Sequence, residues 1–126
     1  MEHMQISVPV GLGELYDKIS ILEIKSERIT EAAKLANVRK ELDLLKAAAA
    51  RFPIDAALYG QLKEVNMRLW DIEDAIRIEE SNRRFGEEFV RLARSIYKEN
   101  DRRSEIKHRI NTAAGSEIVE EKLYKG

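Results

Sequence analysis

Charged residues interrupt the apolar repeat of a long helical stretch in this chain of 126 residues. Between residues 56 and 113, apolar side chains recur at steps of three and four, and the same stepping falls on four charged residues: Glu79, Arg83, Glu99 and Arg103. If the chain reverses near Gly86, these four residues face one another across an antiparallel helix pair. Arginine holds carboxylates and phosphates through two parallel hydrogen bonds. Such a cluster would either bind an anionic ligand or order a polar network.

The simplest interpretation of this charged seam is a pair of solvated helix faces, with Glu–Arg pairs one turn apart that each contribute about 0.3 kcal/mol. A network that sets helix register or dimer specificity is one alternative, and a ligand site is the other. Further polar residues lie near the same face and enter both alternatives: Asn100, Lys107 and Asn111.

The first predicted helix carries a second group of ionic residues. Asp17 and Arg28 bracket two isoleucines, which gives this helix a mixed second face of the kind found in oligomer contacts and pocket walls. Lys18 and Lys25 lie on the same helix. A small all-helical chorismate mutase also grips a dianionic substrate with cations on long helices, and it begins with a helix of similar periodicity.

A carboxylate pair on the third predicted helix indicates a metal-dependent alternative. Asp71 and Asp74 have the spacing with which helical nucleotide pyrophosphohydrolases direct oxygens at hard cations such as Mg²⁺. Basic neighbours favour a plain ionic surface instead, so no cofactor is expected outside this alternative. The enzyme alternative assigns anion contacts to Lys18, Lys25, Arg103 and Lys107, and a base or metal ligand to Glu79 or Asp101.

Four predicted helices must position these residues. The first spans residues 12–29, the third 56–84 and the fourth 87–113, after an extended lead-in at 1–10 and before a charged tail at 117–126. The second follows Thr30, has its seam over residues 35–52 and ends at Phe52-Pro53. The second helix has a coiled-coil-like apolar seam. Thr30 and Asp55 are predicted to cap the second and third helices. Gly86 marks either the end of the third helix or a kink in a continuous one, and periodicity does not decide between them.

Composition excludes several functional classes. The 22 basic and 23 acidic residues leave a net charge of −1, which argues against a nucleic-acid binder that neutralises phosphates. The absence of cysteine excludes disulfides and thiolate metal sites and fits a reducing compartment. No apolar run approaches the roughly 20 residues that span a bilayer, and the N-terminus lacks the pattern of a signal peptide. We therefore expect a cytoplasmic protein without membrane insertion.

Four separated strings resemble those of an uncharacterised bacterial family of small helical proteins with L-E-I-K and E-E-K-x-Y segments. They are G-E-L-Y-D-K-I-S-I-L-E-I-K at 13–25, A-R-S-I-Y-K-E-N-D-R-R at 93–103, K-H-R-I-N at 107–111 and E-E-K-L-Y at 120–124. The resemblance implies no assigned activity and an association of some members with surface-polysaccharide or glycosyltransferase genes. It also directs attention to the polar residues in these strings, which packing alone does not require.

The sequence therefore predicts one all-α domain over 1–126, built of long antiparallel helices in a hairpin or bundle. More apolar surface is present than one small bundle buries, which predicts a homodimer. The leading functional prediction is a non-enzymatic interaction or scaffold module that self-associates and has a possible protein partner. The alternative is a small helical enzyme or sensor that binds an anionic phosphate or carboxylate metabolite between helices.

Overall fold

A computed structural model describes residues 4–115 of the chain, and over this range all regular structure is helical. The predicted charged tail lies outside the described residues. The four helices are α1 (Leu12–Arg28), α2 (Ala32–Ala49), α3 (Ala56–Ser81) and α4 (Glu87–Ala114). The prediction of an all-α fold is confirmed.

Local signals account for most of the helix ends. The Asp55 side chain accepts a hydrogen bond from the Ala57 amide at 2.7 Å and caps α3, as predicted. Gly115 ends α4 in the left-handed conformation that favours glycine, with φ of 65°. The predicted cap at Thr30 is wrong, because the first helical hydrogen bond of α2 is accepted by the Glu31 carbonyl, one residue later.

The chain reverses between α3 and α4, so Gly86 is part of a turn and not a kink. Helix α3 ends at Ser81, three residues before the predicted end, and Gly86 immediately precedes α4 in an extended conformation. Arg83 lies in this turn with φ of 52°. The two helices form an antiparallel hairpin in which Arg68 contacts Glu99 and Asn66 contacts Arg103.

Helix α1 is central, since it contacts the three other helices. One apolar cluster lies inside the hairpin and includes Leu62, Val65, Leu69, Ile106 and Ile110, with Leu12 and Tyr16 of α1 packed against it. A second cluster joins α1 to α2 and contains Ile19, Leu22, Leu42 and Ala49. Both faces of the predicted two-faced first helix therefore pack within one chain, one against α2 and the other against the hairpin.

The far part of the hairpin extends beyond α1. Within the described residues, the hydrogen bonds and ion pairs of α1 reach α3 between Tyr59 and Asp71 and reach α4 between Lys107 and Asn111. We call residues 72–97, which lie beyond these contacts, the arm. Several large apolar side chains of the arm are exposed, namely Ile78, Phe85, Val90 and Tyr97.

None of the helices in the part of the chain that the structure describes is both long and apolar enough to cross a membrane.

Substituting Gly13 with alanine should destabilise the protein by about 2 kcal/mol or more, in the range of overpacked cores. A Cβ at Gly13 would lie 2.5 Å from the Lys107 carbonyl oxygen, which is backbone and has little room to move. The matched control is Gly60→Ala in α3, where a Cβ meets nothing within 4 Å. That change should stabilise the helix by about 0.5–1 kcal/mol. Urea unfolding measures both, and equal effects would contradict the close packing of α1 on α4.

Candidate functional site

Polar side chains from three helices meet in a layer between α1 and the hairpin. We call this set the polar layer, and its residues are Glu14, Asp17 and Ser20 of α1, Asn66 of α3, and Asn100, Arg103, Lys107 and Asn111 of α4. Asp17, Ser20, Asn66, Lys107 and Asn111 are buried. Burial of this many polar groups costs free energy unless each is hydrogen-bonded.

Asn66 joins α3 to α1 through its side-chain amide. Its Nδ2 donates to Asp17 Oδ1 and to Ser20 Oγ, both at 2.8 Å. The Ser20 hydroxyl in turn donates to the backbone carbonyl of Asp17 at 2.8 Å. The amide group of Asn66 thus fixes the side-chain position of Asp17, and the remaining Oδ2 of Asp17 faces α4.

Lys107 places a buried cation beside two carboxylates of α1. Its Nζ lies 2.6 Å from Glu14 Oε2 and 3.5 Å from Asp17 Oδ2. The side chains of Lys107 and Asp17 are 10% and 7% exposed, so water screens this contact little. Removing either partner of an ion pair at this depth lowers the free energy of unfolding strongly, because the remaining partner is then a buried charge without a counter-charge.

Two further contacts extend the polar layer along α4. Arg103 Nη1 donates to Asn66 Oδ1 at 3.3 Å and Nη2 donates to Asn100 Oδ1 at 2.8 Å. At the other end, Asn111 Oδ1 accepts from the Gly13 amide at 2.8 Å. Amides in the first turn of a helix lack partners within the helix, and Gly11 supplies no side-chain cap. Asn111 therefore completes the start of α1 from the neighbouring helix.

The structure brings together five of the predicted site residues: Asp17, Asn100, Arg103, Lys107 and Asn111. Glu99 is buried nearby, but its carboxylate accepts from Arg68 and Arg102. Lys18 and Asp101 are exposed, and Lys25 is half-buried with no contact in the polar layer.

Glu79 and Arg83 do not join Glu99 and Arg103. Glu79 pairs with Arg84 at 2.8 Å near the turn, and Arg83 lies within the turn. The hairpin register sets residue 68 against residue 99, so Glu79 lies about 16 Å farther along α3 at 1.5 Å per residue. The four charged residues of the seam therefore do not form one cluster.

Of the predicted metal-binding pair on α3, Asp71 forms an ion pair, while Asp74 forms none among the described residues. Asp71 contacts Arg28 at 2.7 Å, and Glu73 contacts Arg77 at 3.5 Å. The Arg28 guanidinium also lies 5.6 Å from the centre of the Trp70 ring. Within residues 4–115, His, Cys, Asp and Glu form no group of three or more that would hold a metal ion.

A second polar contact lies on the other side of α1, beside an open pocket of about 260 Å³. The Tyr59 hydroxyl donates to Glu23, whose carboxylate also lies 3.3 Å from Lys46. Tyr16 packs edge-on against Tyr59 and donates to the Phe52 carbonyl at 2.8 Å. Burial raises the pKa of Tyr16, because the phenolate would lose solvation there. These contacts hold the C-terminal end of α2 against α1.

Sequence reasoning missed Glu14, Ser20 and Asn66 in the polar layer. Asn66 follows the buried Val65 in the middle of α3, where asparagine has low helix propensity. Ser20 likewise follows a buried apolar residue, Ile19, in the middle of α1. A small polar residue beside an apolar seam was the available signal for both. Asn66 donates to Asp17 and Ser20 of α1, and this contact between residues 49 and 46 positions apart is not visible in a periodic pattern.

The polar layer is internally satisfied. Among the described residues, no buried side-chain nitrogen or oxygen lacks a hydrogen-bond partner. Arg103 and Lys107, the cations predicted to contact an anion, already contact amide oxygens and carboxylates of the chain. An anionic ligand at Lys107 would have to displace Glu14 or Asp17. The arrangement is suited to fixing the position and orientation of α1 relative to the hairpin.

The chain belongs to the family of unknown function DUF6165, which matches residues 6–126. This match confirms the resemblance to an uncharacterised family, while the bacterial origin stays a prediction. No curated protein and no solved structure matches the chain.

Replacing Lys107 with methionine should destabilise the protein by about 3–5 kcal/mol, because Asp17 and Glu14 lose their buried cation while the volume is nearly kept. Arg109→Met is the matched control, since Arg109 forms an exposed pair with Glu105 one turn away. That pair contributes at most about 0.5 kcal/mol. Urea unfolding at pH 7 compares the variants. A Lys107 variant as stable as the control would show that the ion pair does not hold α1 in place.

Proposed function

We propose that this protein is a non-enzymatic helical interaction module that associates with further copies of itself through the arm. The observation that carries the proposal is the uncovered apolar surface of the arm. Ile78 and Val90 are 56% and 52% exposed, and Phe85 and Tyr97 are exposed to a similar degree. Other large apolar side chains are exposed outside the arm, mainly in residues 4–10, but those of the arm lie on or next to two packed helices. Exposed apolar surface on ordered elements is typical of protein contact sites.

The polar layer supports the same proposal in a different way. Lys107 pairs with Glu14 and Asp17 across α1 and α4. The guanidinium of Arg103 donates to the amide oxygens of Asn66 and Asn100, so within the described residues both cations contact groups of the chain itself. The part of the chain that would recognise a partner is then the arm, whose two helices lack the cover that α1 gives to the rest of the hairpin. In this proposal the polar layer supports the base from which the arm projects.

The proposal places the module in the cytoplasm, in keeping with a chain that has no cysteine. A link to surface-polysaccharide biosynthesis is part of it and is supported by the motif resemblance alone. Nothing in this role requires a cofactor.

Self-association should appear as a concentration-dependent rise in mass at micromolar concentrations in sedimentation velocity. Val90→Glu should weaken it, since a charge replaces an apolar contact on the arm. Leu44→Glu is the matched control, because Leu44 is a comparably exposed apolar residue on α2, away from the arm. A wild-type protein that stays monomeric throughout, or equal effects of the two variants, would reject the proposal.

The enzyme or sensor alternative predicts a different result in a thermal-shift panel. Nucleotides, sugar nucleotides and prephenate-like dianions, each with and without Mg²⁺, stabilise a protein that binds them by RT ln(1 + [L]/Kd). We expect no shift with any of them, because Arg103 and Lys107 are already engaged. A shift that Arg103→Ala abolishes, in a variant that still self-associates, would instead support the alternative.

A further inference from the structure

We propose that the two outer edges of the arm bind each other between copies of this chain. The α3 edge of one copy packs against the α4 edge of the next copy. This inference rests on the proposed self-association and identifies its contact surface. The two edges run along the arm and include the one residue that adjoins it at either end. They are exposed stripes opposite the apolar seam, namely Asp71, Asp74 and Ile78 on α3, and Val90, Arg94 and Lys98 on α4.

The α3 edge is acidic with an apolar end. Its three residues are spaced by three and four, which places them on one side of the helix. Asp71 pairs with Arg28 but keeps 66% of its side chain exposed. Asp74 has no ion-pair partner among the described residues. Ile78 is exposed nearer the tip.

The α4 edge has the complementary character. Arg94 and Lys98 are exposed, and neither forms an ion pair within residues 4–115. Val90 lies one turn before Arg94, nearer the tip. An open depression of about 340 Å³ lies on this edge and is bordered by all three residues. Glu87, Arg91 and Ser95 also border it, so Val90 is its one apolar lining residue. In the proposed pairing, the exposed Ile78 of the other copy contacts Val90 at this depression.

The register of the hairpin aligns the two edges in order. Arg68 meets Glu99 and Asn66 meets Arg103, so residues at the same level have numbers that sum to 167–169. A second copy that lies beside the first with its arm in the same direction keeps these levels. Its Arg94 then lies level with Asp74, and its Lys98 with Asp71. The apolar residues Ile78 and Val90 also lie level, so two opposite-charge pairs and one apolar pair form together.

The charges also select against other pairings of the arms. Two α3 edges would bring aspartates together, and two α4 edges would bring Arg94 and Lys98 of both copies together. Facing like charges cost binding free energy. Pairing of unlike edges is heterologous, and it generates a ring or an open chain of copies instead of a two-fold dimer. The predicted homodimer is therefore replaced in this proposal by a larger assembly.

Reversing one charge on either edge tests the pairing. Asp74→Arg and Arg94→Asp each place like charges at the contact, and each should raise the dissociation constant of self-association about tenfold or more in sedimentation equilibrium. A variant with both changes should regain wild-type association. An equimolar mixture of the two single variants should also regain it, because every mixed contact joins opposite charges.

Matched controls carry the same charge reversals on α2, away from the arm. Asp43→Arg and Arg39→Asp change exposed residues there and should leave the dissociation constant unchanged. Circular dichroism checks that every variant is helical. If single arm variants associate like wild type, or if neither the double variant nor the mixture is restored, the edge pairing is overturned while self-association stands. A wild-type monomer over the whole concentration range overturns both.

Discussion

The contact of the buried Lys107 ammonium with Glu14 and Asp17 is the interaction on which the arrangement of the helices depends. Among the helices of residues 4–115, α1 is the one that touches all the others, and α2 joins the rest of this part of the chain mainly through α1. The position of α2 therefore follows from how α1 is held on the hairpin. Gly13 allows α1 to lie close to α4, because the absence of a Cβ lets the backbone of α1 approach the Lys107 carbonyl. Asn111 then bonds the Gly13 amide at the same place.

Helix bounds were largely predictable from the sequence, because they depend on neighbouring residues. Asp55 caps α3 through an amide two residues away, and Gly115 ends α4 through its own backbone conformation. The prediction at Thr30 was wrong by a single position, since the extended residue that precedes α2 is Glu31. Such signals act within one turn of helix and can be read without knowing the tertiary structure.

The composition of the polar layer was predictable only in part. Lys107, Arg103 and Asn111 are noticeable because they are polar residues in an amphipathic stretch, and Asp17 is noticeable for the same reason. Asn66 was missed because its function depends on Asp17, which lies 49 residues away on another helix. Glu79 and Arg83 were included wrongly because periodicity gives the face of a helix but not the register between two helices. Where the chain turns decides that register, and the sequence left the nature of Gly86 open.

The arm and the base of the hairpin differ in how their apolar residues are covered. In the base, α1 adds a third helix, and Leu62, Val65 and Ile110 are at most 2% exposed. In the arm, the two helices that the structure describes shield one narrow seam, where Leu92 is buried while Ile72, Ile76, Phe89 and Ile96 are only half-buried. An isolated helix pair has little apolar area to offset the entropy of ordering it. A neighbouring arm would supply the third surface that α1 supplies at the base, so self-association would stabilise the segment that mediates it.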